Sequence, residues 1–84
     1  MTQDQAHAFA EEIYLQMLHA PVWRVMEDVI EGDVVRTKTF FVITTAHVVW
    51  VRVLTAPMDP EFAYVEIRLV NGPCLEFAQK MRLQ

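Results

Sequence analysis

Three histidines, one cysteine and a knot of carboxylates are the side chains of this sequence with chemistry to offer, and their spacing decides how much. His7, His19 and His47 stand far apart. His7 and Glu11 lie one helical turn from each other, a spacing that suits a two-ligand metal contact but equally an ordinary solvated i,i+4 pair, which is the expectation. Cys74 is the sole cysteine. With His47 it forms a conceivable nucleophile–base pair, because such partners meet in the fold rather than in the sequence. A small-ligand pocket or minor enzyme centred on His47 and Cys74 is therefore the third-ranked reading. The plainer one makes Cys74 a small apolar side chain and His47 a hydrogen-bonded core histidine. One Cys and three scattered His lack the ligand pairs of a structural zinc site. The two glycines, Gly32 and Gly72, belong to no phosphate-binding loop. The expectation is no catalysis, no metal and no cofactor.

The carboxylates gather as Glu27, Asp28, Glu31 and Asp33 around one turn. They lack the spacing of a calcium loop. A solvated turn that keeps a sheet edge soluble is the plain account. The functional account is an acidic patch that steers toward a basic partner surface. Such a partner could itself bind nucleic acid, with this turn occupying a phosphate site. In size and charge alone, the chain resembles small acidic inhibitors carried by mobile elements, such as anti-CRISPR proteins, which act by occlusion. No motif supports a closer resemblance.

The elements that must position these groups are marked unevenly. Ala6, Phe9, Ala10, Ile13, Tyr14, Met17 and Leu18 recur at three-and-four spacing, which predicts a helix over about 3–19. Thr2 and Gln5 fit a capping box, and Pro21 marks the stop. Residues 22–31 read either as an amphipathic helix or as a strand. The strand is preferred, because Gly32-Asp33 would close a two-residue hairpin that sets Ile30 opposite Val35, Met26 opposite Thr39 and Glu27 opposite Lys38. Strands are predicted at about 34–44, 46–55 and 62–70, with a stiff proline-bounded turn around Met58 between the last two. After Asn71-Gly72, Pro73 has no N–H to close a tight hairpin. Cys74, Phe77, Ala78 and Met81 make a helical stripe, so a short helix over 73–82 is chosen above a further strand. The expected fold is a single small α+β domain over residues 1–84: an N-terminal helix on a three- or four-stranded antiparallel meander, closed by a C-terminal helix.

The central stretch Phe40–Leu54 carries one charge in fifteen residues and is apolar on both alternating sets of positions. Arg36, Lys38, Arg52, Glu66 and Arg68 all fall on even numbers, which assigns the even sides to the outside. Val35, Phe41, Ile43, Val49, Val51, Val53, Val65, Ile67 and Leu69 are then the expected core. The outer side still holds Phe40, Val42, Val48, Trp50, Phe62 and Tyr64, with Arg52 and Arg68 at the rim. Either this second apolar face is covered within the monomer or it is an interface, and aromatic residues with arginine are the types enriched at interface centres. The interface is preferred, with Met58 as a further contact.

The totals agree. A chain of 84 residues, 54% hydrophobic, has a small margin of stability and no disulfide to add to it. Association, with a second copy as homodimer or with another protein, is the expected compensation. The net charge of −4 and pI near 5.2 disfavour nucleic-acid and anionic-membrane surfaces. No charged segment followed by an apolar run opens the chain, and no apolar run approaches twenty residues. A soluble cytoplasmic protein is expected. The preferred function is a non-enzymatic protein-binding module, a small acidic inhibitor or adaptor that occludes part of a larger partner. The runner-up is a nucleic-acid-binding domain that stacks bases on the aromatic sheet face.

Overall fold

A computed structural model describes residues 1–84. The helix α1 spans Gln3–His19, and both halves of its capping box are present: the Thr2 hydroxyl accepts from the Gln5 N–H, and the Gln5 side chain accepts from the Thr2 N–H. Its buried stripe is Ala6, Phe9, Ala10 and Ile13. The chain leaves the helix at Ala20, just ahead of Pro21, and turns extended. Two antiparallel hairpins follow. The first joins β1 (Val22–Glu31) to β2 (Val34–Thr44); the second joins β3 (Val48–Ala56) to β4 (Asp59–Leu69). No helix is long and apolar enough to cross a membrane.

The first hairpin turns on Gly32 and Asp33, with Gly32 at φ +61, a left-handed conformation that glycine adopts without strain. Its register sets Ile30 opposite Val35, Glu27 opposite Lys38 and Met26 opposite Thr39, as the turn and charge pairing require. Beyond that point β2 carries a bulge. Val25 pairs with Phe41, so Phe40 is the extra residue.

Two expectations are corrected. The strands form two three-stranded sheets rather than one meander, ordered β2-β1-β6 and β3-β4-β5. A 3-10 turn at Thr45–His47 separates β2 from β3. It is tied to the end of the helix by the Thr45 N–H on Pro21 O (2.9 Å) and the Thr45 hydroxyl on Ala20 O (2.9 Å). These bonds turn the chain out of the first sheet before β3 can pair with β2.

The predicted helix over 73–82 does not form; β5 (Cys74–Phe77) and the short β6 (Arg82–Leu83) take its place. Pairing on β4 resumes with Cys74 opposite Arg68. The intervening connection, which includes Asn71 at φ 60, is long enough that Pro73 need donate nothing. An extended chain here pairs the polar backbone groups of β4, which a helix would have left open. The final residues pair with β1, where Arg24 and Gln84 exchange backbone hydrogen bonds of 2.7 and 3.0 Å.

The core lies between α1 and the facing sides of the two sheets. Trp23, Val25, Ile43, Val65, Ile67 and Ala63 are almost wholly enclosed with Phe9 and Ile13. Val51, Leu75, Phe77 and Met81 complete it, while Val53 and Leu69 are half-buried against it. Val35, Phe41 and Val49, expected in the core, are exposed, and so is His47. The bulge at Phe40 shifts the alternation of residues 34–39, which are exposed on both faces of the strand, while Phe41 stays on the side of Val25 and Ile43 at the open end of the core. The radius of gyration of 13.5 Å, against roughly 12 Å for a compact chain of this length, reflects this projecting arm.

This packing makes a sharp contrast testable by denaturant unfolding. Trp23→Ala is expected to cost about 3–5 kcal/mol, most of the stability of so small a domain. Ile30→Ala, on the exposed arm, is expected to stay within about 0.5 kcal/mol of wild type.

Candidate functional site

The outer face of the second sheet is organised by register. Across β3, β4 and β5 the rows are Trp50–Arg68–Cys74 and Arg52–Glu66–Glu76, followed by Leu54 opposite Tyr64. Glu66 is the one buried charged residue of the chain, 8% exposed. Its Oε1 accepts from the Trp50 indole Nε1–H and from the Arg52 Nε–H, each at 2.9 Å. The Arg52 guanidinium lies 4.3 Å from the centre of the Trp50 ring, and that of Arg68 lies 6.0 Å from it. Carboxylate, guanidinium and indole thus form a closed cluster. The two donors, led by Trp50, hold the Glu66 carboxyl below its ordinary range, against the opposing effect of burial.

Cys74 lies beside this carboxylate. Partial burial and the neighbouring Glu66 push its thiol upward, so it is held as the protonated, weakly nucleophilic form at neutral pH. His47, expected on the plainer reading to be a hydrogen-bonded core histidine, is exposed on the 3-10 turn. No group of three or more His, Cys, Asp or Glu side chains comes together in a way that could hold a metal ion.

A second site lies where β2, β4 and the β5–β6 connection meet. It is an open cavity of about 470 Å³ lined by Phe40, Phe41, Phe62, Phe77, Ala78 and Met81, with Glu76 and Gln79 as its polar residues. Phe77 stands edge-on to Phe9 (5.8 Å between ring centres) and to Phe41 (6.2 Å), and Phe41 leads on to Phe40 (6.3 Å). The aromatic series therefore runs from the helix to the surface. A shallower hollow lined by Phe62, Tyr64, Glu76 and Ala78 shares three of these residues and extends the cavity onto the sheet face. Together they make one aromatic cleft. Ala78, which lines both hollows, is tied to β4 through the Met1 amino nitrogen, which donates to Ala78 O (2.7 Å) and to Ala63 O (3.1 Å).

The nine expected contact residues therefore divide. Phe40, Phe62 and Tyr64 meet at the cleft. Trp50, Arg52 and Arg68 belong to the Glu66 cluster. Val42 is exposed on β2, and Met58 is almost fully exposed at the tip of the second hairpin. Val48, expected outside, is half-buried and packs against the core. The acidic residues are partly neutralised in place. Glu31 faces Arg36 (3.7 Å), and Asp28 faces Arg82 (3.5 Å) while accepting from the Thr37 hydroxyl (2.8 Å). Glu27 lies opposite Lys38, and Asp33 sits in the turn. Phe77, Glu76 and Met81 were not singled out from sequence as site residues. The alternation of Leu75 and Phe77 around Glu76 was the available signal.

Comparison of the chain with protein-family models, curated proteins and solved structures returns no match.

The Glu66 cluster carries a pH signature. A carboxyl depressed in the folded state contributes stability that is fully present above its unfolded range and is lost as pH falls through its folded value. Wild type is therefore expected to lose stability below the ordinary carboxylate range more steeply than Glu66→Gln. Urea midpoints measured across acidic pH check this. Parallel profiles would show that Glu66 contributes nothing to the acid response.

Proposed function

We propose that this protein is a non-enzymatic protein-binding module that occludes part of a larger partner through the aromatic cleft and the sheet face beside it. The observation that carries the reading is the cavity of about 470 Å³, six of whose eight lining residues are hydrophobic and four of which are phenylalanine. Apolar hollows of this kind receive the anchoring side chains of partners, and aromatic walls contribute most of the energy of such contacts. A small acidic chain placed there acts as inhibitor or adaptor by covering a surface. On this reading it acts in the cytoplasm and needs neither cofactor nor metal.

Nucleic-acid binding on the same sheet is less well supported. The Trp50 ring, the best stacking platform available, already carries the Arg52 guanidinium at 4.3 Å, and the net charge is −4. Self-association is a second reading with an observation of its own, the exposed apolar residues Ile30, Val34 and Val35 on the projecting arm.

Capture of host proteins on immobilised wild type, Phe62→Asp and Leu18→Asp tests the cleft. Leu18 is an exposed apolar residue at the end of the helix. A partner lost with Phe62→Asp and retained with Leu18→Asp is the expected result, with both variants folded by far-UV circular dichroism. The reverse pattern would overturn the assignment to the cleft. For the second reading, light scattering during gel filtration is expected to give twice the 9.8 kDa chain mass at high concentration and the monomer for Val35→Lys. A wild-type monomer at every concentration would remove it.

A further inference from the structure

The two carboxylates of the outer sheet face are direct cross-strand neighbours, Glu66 on β4 opposite Glu76 on β5. Like charges so placed destabilise a sheet unless each is neutralised. Glu66 has its cation in Arg52, whose guanidinium bonds the carboxylate at 2.9 Å and lies 4.3 Å from the centre of the Trp50 ring. Glu76 has none: the four ion pairs of the chain all lie elsewhere. It stands in the wall of the aromatic cleft, where Phe62 and Tyr64 line the same hollow. One half of the sheet face thus holds a complete carboxylate–guanidinium–aromatic arrangement, and the other half holds the same parts without the guanidinium.

We propose that the cleft takes an arginine side chain of a partner protein, its guanidinium set between the Glu76 carboxylate and the rings of Phe62 and Tyr64. This rests on the reading of the cleft as a protein-binding site and specifies what that site recognises. The cleft combines an aromatic lining with one unneutralised carboxylate, which suits a flat cation with a hydrocarbon stem better than either an apolar anchor or a hydrated ammonium. The chain's own use of aromatic surface agrees, because the Arg52 guanidinium already lies 4.3 Å from the centre of the Trp50 ring on the same sheet face. The stem would lie along Ala78 and Phe77, and the charge would meet Glu76. The added cation would also relieve the repulsion between Glu66 and Glu76, so binding and local stability are coupled.

Titrations of the full chain with arginine amide, lysine amide and norleucine amide, followed by amide NMR shifts, test the proposal without knowledge of the partner. Arginine amide is expected to perturb the resonances of Phe62, Tyr64 and residues 76–78 in the millimolar range, at least roughly fivefold more tightly than norleucine amide. Glu76→Gln is expected to remove that preference while leaving the fold and any norleucine binding unchanged. Equal affinity for arginine and norleucine amides would overturn the proposal. So would shifts confined to the acidic turn at 27–33, or no shift at all. If Phe62→Asp loses the captured partner while Glu76→Gln keeps it, arginine recognition fails and the protein-binding reading stands.

Discussion

Phe77 is the point on which this small structure turns. Its ring meets Phe9 of the helix on one side and Phe41 of the first sheet on the other, at 5.8 and 6.2 Å in edge-to-face geometry. It thereby joins the helix and both sheets, each of which has only three strands. Two such sheets have little independent stability, and each needs an apolar surface to cover it. The helix covers the second sheet, and the segment carrying Phe77 and Met81 closes the space between the two. That closure is incomplete. The aromatic series continues past the buried Phe77 to the exposed Phe41 and Phe40, and the cleft is the part of the core the chain is too short to seal.

The electrostatics of the sheet face follow from the same strand. Placing β5 beside β4 brings Glu76 opposite Glu66, a pairing with a cost that a helical C-terminus would have avoided. The arrangement persists because β5 pairs the open edge of β4 and because Leu75 and Phe77 enter the core on its other face. Arg52 and Trp50 neutralise one of the two carboxylates. The other remains exposed beside aromatic rings, so the feature that is unfavourable for the free monomer is the one best suited to a cation from outside.

Much of this was legible where the determinants are local. The bounds of the helix follow from Thr2, Gln5 and Pro21, all near the residues they control. The register of the first hairpin follows from Gly32-Asp33 and the Glu27–Lys38 pair. The inward set Ala63, Val65 and Ile67 follows from plain alternation. What was not legible depends on partners distant in sequence. Nothing within Thr44–His47 marks a change of sheet, since the turn is made by bonds to Ala20 and Pro21. The segment from Cys74 to Met81 satisfies both helical and strand periods, and the open edge of β4 decides between them. Val35 was assigned to the core by an alternation that a single bulge at Phe40 displaces, whereas Phe41 keeps the side of Ile43 and Val25 and is left partly exposed at the open end of the core. Phe40 and Phe62 are exposed and Tyr64 is half-buried, but the residues that make a cavity of them lie in the segment assigned to the wrong element.

The open edge of β2 suggests a different mode of association, the addition of a partner strand, and the geometry limits it. Both backbone polar groups of Arg24 bond to Gln84, away from β2, so the opposite residue, Val42, turns its own N–H and C=O to the free edge. The bulge puts this half of the edge out of phase with residues 34–39. A straight partner strand can then match one half or the other, never the full length. The longer half also carries Arg36 and Lys38, cations of the kind that discourage edge pairing. Backbone addition along β2 is consequently short and electrostatically opposed for a second copy of the same strand. On the protein-binding reading proposed above, contacts would fall instead to side chains, and the side chains that are both apolar and preorganised by packing are those of the cleft rather than those of the arm.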